Sequence, residues 1–162
     1  MGDYYTEQLV KRNAPASTIL AKAALILLTV ASVGLVLIIP VAIIAPIILI
    51  CLDVFLFRSM DVEFEYLFVN GALDIDKIMA KSRRKKVFTM ELNEMEVLAQ
   101  AGSAELRPYQ GLKTVDFSSG NRDAKQYEMV IVQKGEKKRV VFEPNSTILE
   151  GMKMLAPRKV FV

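Results

Sequence analysis

The sequence predicts an α+β chain in which an N-terminal transmembrane helical hairpin is followed by a small, mainly β domain. Two observations predict this division. Residues 23–52 contain no charged side chain, although Asp, Glu, Lys and Arg make up 24% of the 162 residues. After Phe57, apolar and charged residues alternate, as in strands with one buried face. We therefore predict an N-terminal segment 1–17, a hairpin 18–57 and a soluble domain 58–162.

The apolar segment is long enough for two membrane crossings. As one helix, residues 18–57 would extend about 60 Å, roughly twice the thickness of a hydrocarbon core of about 30 Å. Pro40 lies near the midpoint, and the residue before a proline is disfavoured in helices. These observations predict a turn near 38–41. That turn contains no polar side chain, and the second half is barely long enough to span, so a shallow, re-entrant hairpin is the alternative.

Flanking charges predict the orientation of the hairpin, since both versions place its two ends on one side of the membrane. The flanking cations are Lys11, Arg12 and Lys22 before the segment, and Arg58, Lys77, Lys81 and Arg83 after it. Under the positive-inside rule, the chain is a multi-pass protein of the cell membrane with both termini in the cytoplasm. Tyr4 and Tyr5 are interpreted as side chains at the membrane interface.

Two opposite charges lie inside the ends of the predicted helices. Lys22 lies four residues into the first helix, and Asp53 lies four residues before the end of the second. If the chain turns near Pro40, both side chains enter the membrane from the same side at similar depth. Because charges within membrane segments tend to be paired or to extend to the interface, we expect Lys22 and Asp53 to approach each other.

Beyond residue 60 the sequence predicts seven antiparallel strands. Asn70-Gly71 separates the first two of them, and this dipeptide is a strong signal for a two-residue hairpin turn. The predicted strands are 64–69, 72–79, 84–92, 95–100, 112–118, 127–134 and 137–143.

The domain ends in a predicted helix. Ile148, Met152 and Leu155 recur at helical spacing, and all three are expected to be buried. Thr147 and Glu150 form a capping box that would begin this helix. Seven strands followed by one helix is the element order of a pleckstrin-homology-like (PH-like) domain, a β-sandwich or partly open barrel. In that fold the helix covers one open end of the sheet.

Three blocks of the chain also resemble a known family. They are YTEQLVKR (5–12), DVEFEYLFVNGALDIDKIMAKSRRKK (61–86) and FEPNSTILEGMKMLAPRKV (142–160). The chain resembles small clostridial membrane proteins of a domain-of-unknown-function family, in which a two-helix anchor precedes a bacterial PH-like domain. The resemblance covers nearly the whole chain and implies architecture and location, with no established activity. Many eukaryotic domains of this fold bind inositol phosphates through a basic loop between their first two strands. Here Asn70-Gly71 is predicted at that position, so no such site is expected.

The basic run KSRRKK (81–86) is the strongest candidate for a binding site. Its cations are Lys81, Arg83, Arg84, Lys85 and Lys86. Such clusters beside a cytoplasmic leaflet attract anionic lipid headgroups, with about 1 kcal/mol for each Lys or Arg near the surface. The alternative is a solvated cluster that only sets the orientation of the chain. Nucleic-acid binding is not expected, because no aromatic residues are interleaved with these cations and the net charge is only +3.

Four carboxylates form a second cluster on the first predicted hairpin: Glu63, Glu65, Asp74 and Asp76. Alternate residues on a strand share a face, so these side chains are expected to lie together. Paired carboxylates can bind a divalent cation or transfer protons. A solvent-facing side of an antiparallel sheet is the interpretation that we favour.

No motif in the sequence predicts catalysis. The chain has no His, no nucleophile at a suitable spacing from a base, and no phosphate-binding loop. We therefore expect no catalytic residue, no metal and no cofactor. The sequence predicts a non-enzymatic integral membrane protein that presents a PH-like interaction or scaffolding domain to a protein partner at the cytoplasmic leaflet. The alternative is a regulator that senses anionic lipids through the basic turn 81–86.

Overall fold

The computed structural model describes residues 4–162, which form a helical hairpin and two β-sheets. The helices are α1 (Ala16–Val36), α2 (Ile44–Ser59) and α3 (Ser146–Leu155). The strands are β1 (Tyr5–Lys11), β2 (Val62–Val69), β3 (Ala72–Met79), β4 (Arg83–Glu91), β5 (Met95–Gln100), β6 (Thr114–Asp116), β7 (Tyr127–Gln133), β8 (Glu136–Phe142) and β9 (Val160–Phe161). Short 3₁₀ helices occupy Pro40–Ile43 and Ala104–Tyr109.

The first sheet has the order β1-β2-β3-β4 and is antiparallel throughout. The second has the order β6-β8-β7-β5-β9. Two of its pairings are parallel: β6 with β8, and the terminal β9 with β5. The sequence predicted antiparallel strands only, and the predicted strand 112–118 is reduced to Thr114–Asp116. The expected tight turn between β2 and β3 is present, with positive φ angles at Asn70 (47°) and Gly71 (91°).

The first strand of the domain precedes the helical hairpin. β1 lies within the segment 1–17, which the sequence analysis separated from the domain, and residues 1–3 are outside the described part of the chain. β1 pairs with β2 along its whole length, from Tyr5 opposite Val69 to Lys11 opposite Glu63. The hairpin is therefore an insertion between two neighbouring strands of one sheet.

The two ends of the helical hairpin meet at this insertion point. Because β1 and β2 are antiparallel neighbours, the end of one lies beside the start of the other, and the Arg12 N–H donates to the Val62 carbonyl oxygen at 2.9 Å. The chain reverses at Pro40–Ile43, and Ile39 before it is extended, as expected for a residue before proline. Both helical segments are long and apolar enough to cross a membrane.

The hydrophobic core lies between the two sheets and beneath α3. Its largest fully buried aromatic side chains are Tyr66, Phe68 and Phe142, and α3 contributes Ile148 and Met152. Leu155, which was predicted to be buried with them, is 49% exposed because it is the last residue of α3.

The cap of α3 also differs from the prediction. The side chain of Asn145 accepts the Ile148 N–H at 2.9 Å, so Asn145 is the N-cap and the helix begins at Ser146. The predicted box of Thr147 and Glu150 therefore falls inside the helix.

Tyr4 belongs to the domain and not to a membrane interface. Its ring meets Phe68 edge-on with centroids 5.8 Å apart, and its hydroxyl donates to the backbone oxygen of Thr147. Tyr5 is exposed, and its hydroxyl donates to Glu7 at 2.7 Å. That hydrogen bond to a carboxylate raises the pKa of Tyr5.

Candidate functional site

The basic turn lies directly at the junction with the helical hairpin. It connects β3 to β4, and both Ala80 and Lys81 adopt positive φ angles there. The Ala80 N–H donates to the carbonyl oxygen of Asp61 at 2.9 Å, and Asp61 follows the end of α2. The turn, the start of α1 and the end of α2 thus occupy the same end of the first sheet.

The strand register divides the cations of the basic run between two faces. Arg84 and Lys86 face the outer side of the sheet, because alternate residues of β4 share a face. There Arg84 contacts Glu65 at 2.8 Å and Asp76 at 3.9 Å, while Lys86 contacts Asp74 at 2.6 Å. The charges of Arg84 and Lys86 are therefore compensated within the domain.

The other cations of the run remain available. Lys81, Arg83 and Lys85 are exposed, and none has an ion-pair partner within residues 4–162. A fourth cation joins them, because Lys77 on β3 lies directly opposite Lys85 on β4. Lys77 is half-buried and likewise has no ion-pair partner in the described chain. The cationic surface at the junction consists of Lys77, Lys81, Arg83 and Lys85.

Two of the carboxylates expected to face solvent are buried. Glu65 is 6% exposed and Asp76 is 7% exposed, and they lie directly opposite each other in the register of β2 and β3. The Arg84 guanidinium, which contacts both carboxylates, offsets part of the free-energy cost of burying their charges. Among the described residues 4–162, Glu65 Oε2 and Asp76 Oδ1 nevertheless have no hydrogen-bond partner. No group of three or more potential metal ligands occurs within residues 4–162.

Asp74 takes part in a smaller, exposed network. Burial disfavours its charged form, but hydrogen bonds from Lys86 and Thr89 outweigh that effect and hold the pKa of Asp74 below its ordinary value. The hydrogen bond to Asp74 also raises the pKa of Lys86. Both groups are therefore charged over a wide range around neutral pH.

The polar groups inside the helical hairpin do not pair as expected. Asp53 is 8% exposed and accepts a hydrogen bond from the Thr29 hydroxyl at 2.7 Å. The Lys22 ammonium lies over the ring of Phe57, 5.6 Å from its centroid. The prediction that Lys22 and Asp53 approach each other is wrong, because Lys22 lies opposite a residue one helical turn beyond Asp53.

A family model described as a bacterial PH-like domain (DUF6106) matches residues 2–162. The chain belongs to this family. No curated protein and no solved structure matches it significantly. Because the DUF6106 match includes β1, both membrane-type helices and both sheets, it covers the domain together with its inserted hairpin. The family match confirms the prediction of a PH-like domain. Two apolar helices together with such a domain are consistent with a membrane-associated protein.

The DUF6106 chain has a small cavity at the hairpin junction, which the sequence analysis missed. Its volume is about 240 Å³, and it lies among the first turn of α1, the end of α2 and the neighbouring strands. Arg12 and Lys77 are its two cationic lining residues. No local pattern in the sequence indicates this site, because Arg12 and Lys77 are 65 positions apart and come together only through the pairing of β1, β2 and β3.

Proposed function

We propose that this DUF6106 protein is a non-enzymatic integral membrane protein that holds a PH-like interaction domain against a bilayer surface. The insertion of the helical hairpin between β1 and β2 carries this proposal. A hairpin at one end of a chain would tether its domain through a single flexible connection. Here both connections lead straight into paired strands, so the orientation of the domain follows that of the helices.

The proposed location is the cytoplasmic side of the cell membrane. Lys11, Arg12 and Arg58 lie at the hairpin ends, and the cationic surface of the junction lies beside them. Cations close to the ends of membrane helices favour cytoplasmic placement. Both termini would then be cytoplasmic. The partner would be a cytoplasmic protein that this domain recruits to the membrane.

Cysteine labelling of the full chain in intact cells tests this arrangement. In a Cys51→Ser background, Ala14→Cys and Met60→Cys are expected to react with an impermeant reagent only after the membrane is opened. Asn121→Cys, in an exposed loop of the domain, should behave in the same way. Labelling of residues 14 and 60 from opposite sides would refute the hairpin, and labelling of all three in intact cells would refute the cytoplasmic placement.

A second candidate function is contact of the cationic surface with anionic lipids, and the Ala80–Asp61 hydrogen bond favours it. That bond fixes the turn at the point where α2 leaves the domain. Lys81, Arg83 and Lys85 are exposed there, and none has an ion-pair partner in the part of the chain that the structure describes. If the helices lie in a bilayer, these side chains are close to the headgroups, where each contributes about 1 kcal/mol of attraction to an anionic surface.

A fluorophore at the turn of the full chain tests this contact. Ser82→Cys, in the Cys51→Ser background, is labelled with an environment-sensitive dye and reconstituted in phosphatidylcholine vesicles with or without phosphatidylglycerol. A spectral change that needs phosphatidylglycerol and weakens with salt is expected. Arg83→Gln with Lys85→Gln should abolish that change. Lys113→Gln with Lys134→Gln removes two equally exposed charges elsewhere and should leave it intact. Equal responses of the two double variants would refute the lipid contact.

A further inference from the structure

The cavity at the hairpin junction lies at the boundary between the domain and the helices. Pro15, which immediately precedes α1, lines it together with Thr18 in the first turn of α1 and Met60 at the end of α2. Val62 and Phe64 contribute apolar surface. Because both helices leave the domain at this cavity, it would lie at the level of the lipid headgroups when the hairpin is in a bilayer.

Two cationic residues, Lys77 and Arg12, line the cavity. Lys77 lines it and lies directly opposite Lys85 on the neighbouring strand. Like charges in such cross-strand positions repel each other. Within residues 4–162 neither lysine has an ion-pair partner. An anion bound at Lys77 would reduce this repulsion and replace the missing partner.

Arg12, the other cationic lining residue, is held in place by its own contacts. Its guanidinium lies 5.6 Å from the centroid of the Phe64 ring and donates to the backbone oxygen of Asp116 at 3.0 Å. A second contact, at 3.4 Å, joins it to the Asp116 carboxylate. These contacts use two of the five donors of the guanidinium and fix its position, so the ordering cost of a further hydrogen bond is small.

The size of the cavity limits the ligand. Pockets for drug-sized molecules measure about 300–1,000 Å³, and this cavity, at about 240 Å³, is smaller. It accommodates a phosphate group with its immediate substituents. Beyond it both α1 and α2 carry many exposed apolar side chains, which suits acyl chains.

We propose that the junction cavity binds the phosphodiester headgroup of one anionic phospholipid, with Lys77 and Arg12 as its cationic contacts and Thr18 as a hydrogen-bond donor. This inference rests on the proposed placement of the hairpin in a bilayer. It differs from the diffuse attraction of the basic turn, since a single lipid is held in a defined cavity. Its binding is therefore saturable, with one lipid for each chain.

Native mass spectrometry of the delipidated full chain in detergent tests the proposal. Titration with phosphatidylglycerol should give saturable binding of one lipid for each chain, tighter than that of phosphatidylcholine. Lys77→Gln should weaken phosphatidylglycerol binding by about tenfold or more, since it removes a charge-assisted hydrogen bond. Lys113→Gln, which removes an exposed charge just before β6, should leave binding unchanged. Thr18→Val provides a second variant if Lys77→Gln fails to fold, and it should also weaken binding.

The other outcomes overturn the proposal. They are unsaturable binding, equal affinity for the two lipids, or equal affinity of the Lys77→Gln and Lys113→Gln chains. Displacement of the lipid by millimolar inorganic phosphate would assign the cavity to a free anion and would equally overturn the lipid assignment. Cysteine labelling of residues 14 and 60 separates this failure from that of the proposed function. A correctly inserted hairpin without saturable binding refutes only the lipid site.

Discussion

The backbone N–H of Ala80 donates to the carbonyl oxygen of Asp61 at 2.9 Å, and this bond joins the basic turn to the end of the second helix. The carboxylate of Asp61 in turn meets the ammonium of Lys11 at 3.6 Å. The end of β1, the start of β2 and the β3–β4 turn are thus held together at the junction. We therefore expect the folding of this domain to depend on β1, and the first prediction follows from that dependence.

A fragment of residues 61–162 is expected not to fold cooperatively. It lacks β1, which forms seven residue pairs with β2 and contributes Val10 to the core. Loss of β1 also exposes the edge of β2, a site for aggregation. A fragment in which residues 4–13 are joined to residue 61 by a Gly-Ser linker should show a cooperative thermal transition by circular dichroism. Equal melting of the two fragments would show that β1 is dispensable.

The second prediction concerns the pair of buried carboxylates. Arg84→Met leaves Glu65 and Asp76 opposite each other without a compensating cation. The expected loss is about 1–3 kcal/mol of unfolding free energy, below the roughly 3–5 kcal/mol for a fully buried pair, because the Arg84 side chain is 56% exposed.

Thermal unfolding of the full chain in detergent measures this loss. Arg83→Met is the matched control, since Arg83 is exposed and has no ion-pair partner in the described residues, and it should melt like the parent chain. Adding Glu65→Gln to Arg84→Met should restore part of the loss, because one buried charge is removed. If Arg84→Met and Arg83→Met melt alike, the buried carboxylates do not depend on Arg84.

The third prediction concerns acid stability. The pKa of Asp74 is lowered from its ordinary value of 3.8 by hydrogen bonds from Lys86 and Thr89. A carboxylate with a lowered pKa in the folded state stabilises that state fully above its ordinary pKa, and this contribution disappears as the pH falls through the lowered value. Asp74→Asn should therefore melt below the parent chain at pH 7, and the difference should shrink below pH 3.8. A difference that is constant from pH 7 down to pH 2 would contradict this linkage.

The parts of the fold that the sequence predicted are those with local signals. Asn70-Gly71 indicates the β2–β3 hairpin because its φ angles are set by the dipeptide itself. β1 could not be assigned to the sheet from the sequence, since its partner β2 lies beyond the whole helical hairpin. β6 is only three residues long and pairs in parallel, so its own sequence carries little information about its neighbour.

The sequence showed most of the cations that belong to the candidate site, but it did not show how they are arranged in space. The basic run was evident, but its division between two faces depends on the register of β3 and β4, which shifts between Ile75 and Asp76. Lys77 lies outside the run and joins the cationic surface only through its pairing with Lys85. The contacts within the helix pair could not be predicted for the same reason. Only the register of α1 against α2 places Thr29, and not Lys22, beside Asp53.

The last prediction concerns the contact between α3 and the residue that precedes β1. A Cβ atom on Gly151 would overlap the ring of Tyr4 and would come within 2.9 Å of Phe68. Alanine is a better helix former than glycine by about 1 kcal/mol, so in an open position Gly151→Ala would stabilise α3. Here the added methyl group must displace Tyr4, which costs its ring contact with Phe68 and its hydrogen bond to Thr147. Overpacking of this kind costs about 1–3 kcal/mol, so we expect a net loss of stability.

A double-mutant cycle in the full chain separates the overlap with Tyr4 from an intrinsic effect on the helix. Tyr4→Ala alone should destabilise the domain, because it removes both contacts. Gly151→Ala should then have a smaller destabilising effect, or a stabilising one, in the Tyr4→Ala background, since the ring is gone and only the overlap with Phe68 remains. Additive losses in thermal unfolding would mean that the two residues do not interact. In that case the contact between Tyr4 and α3 would not hold the start of β1 in place.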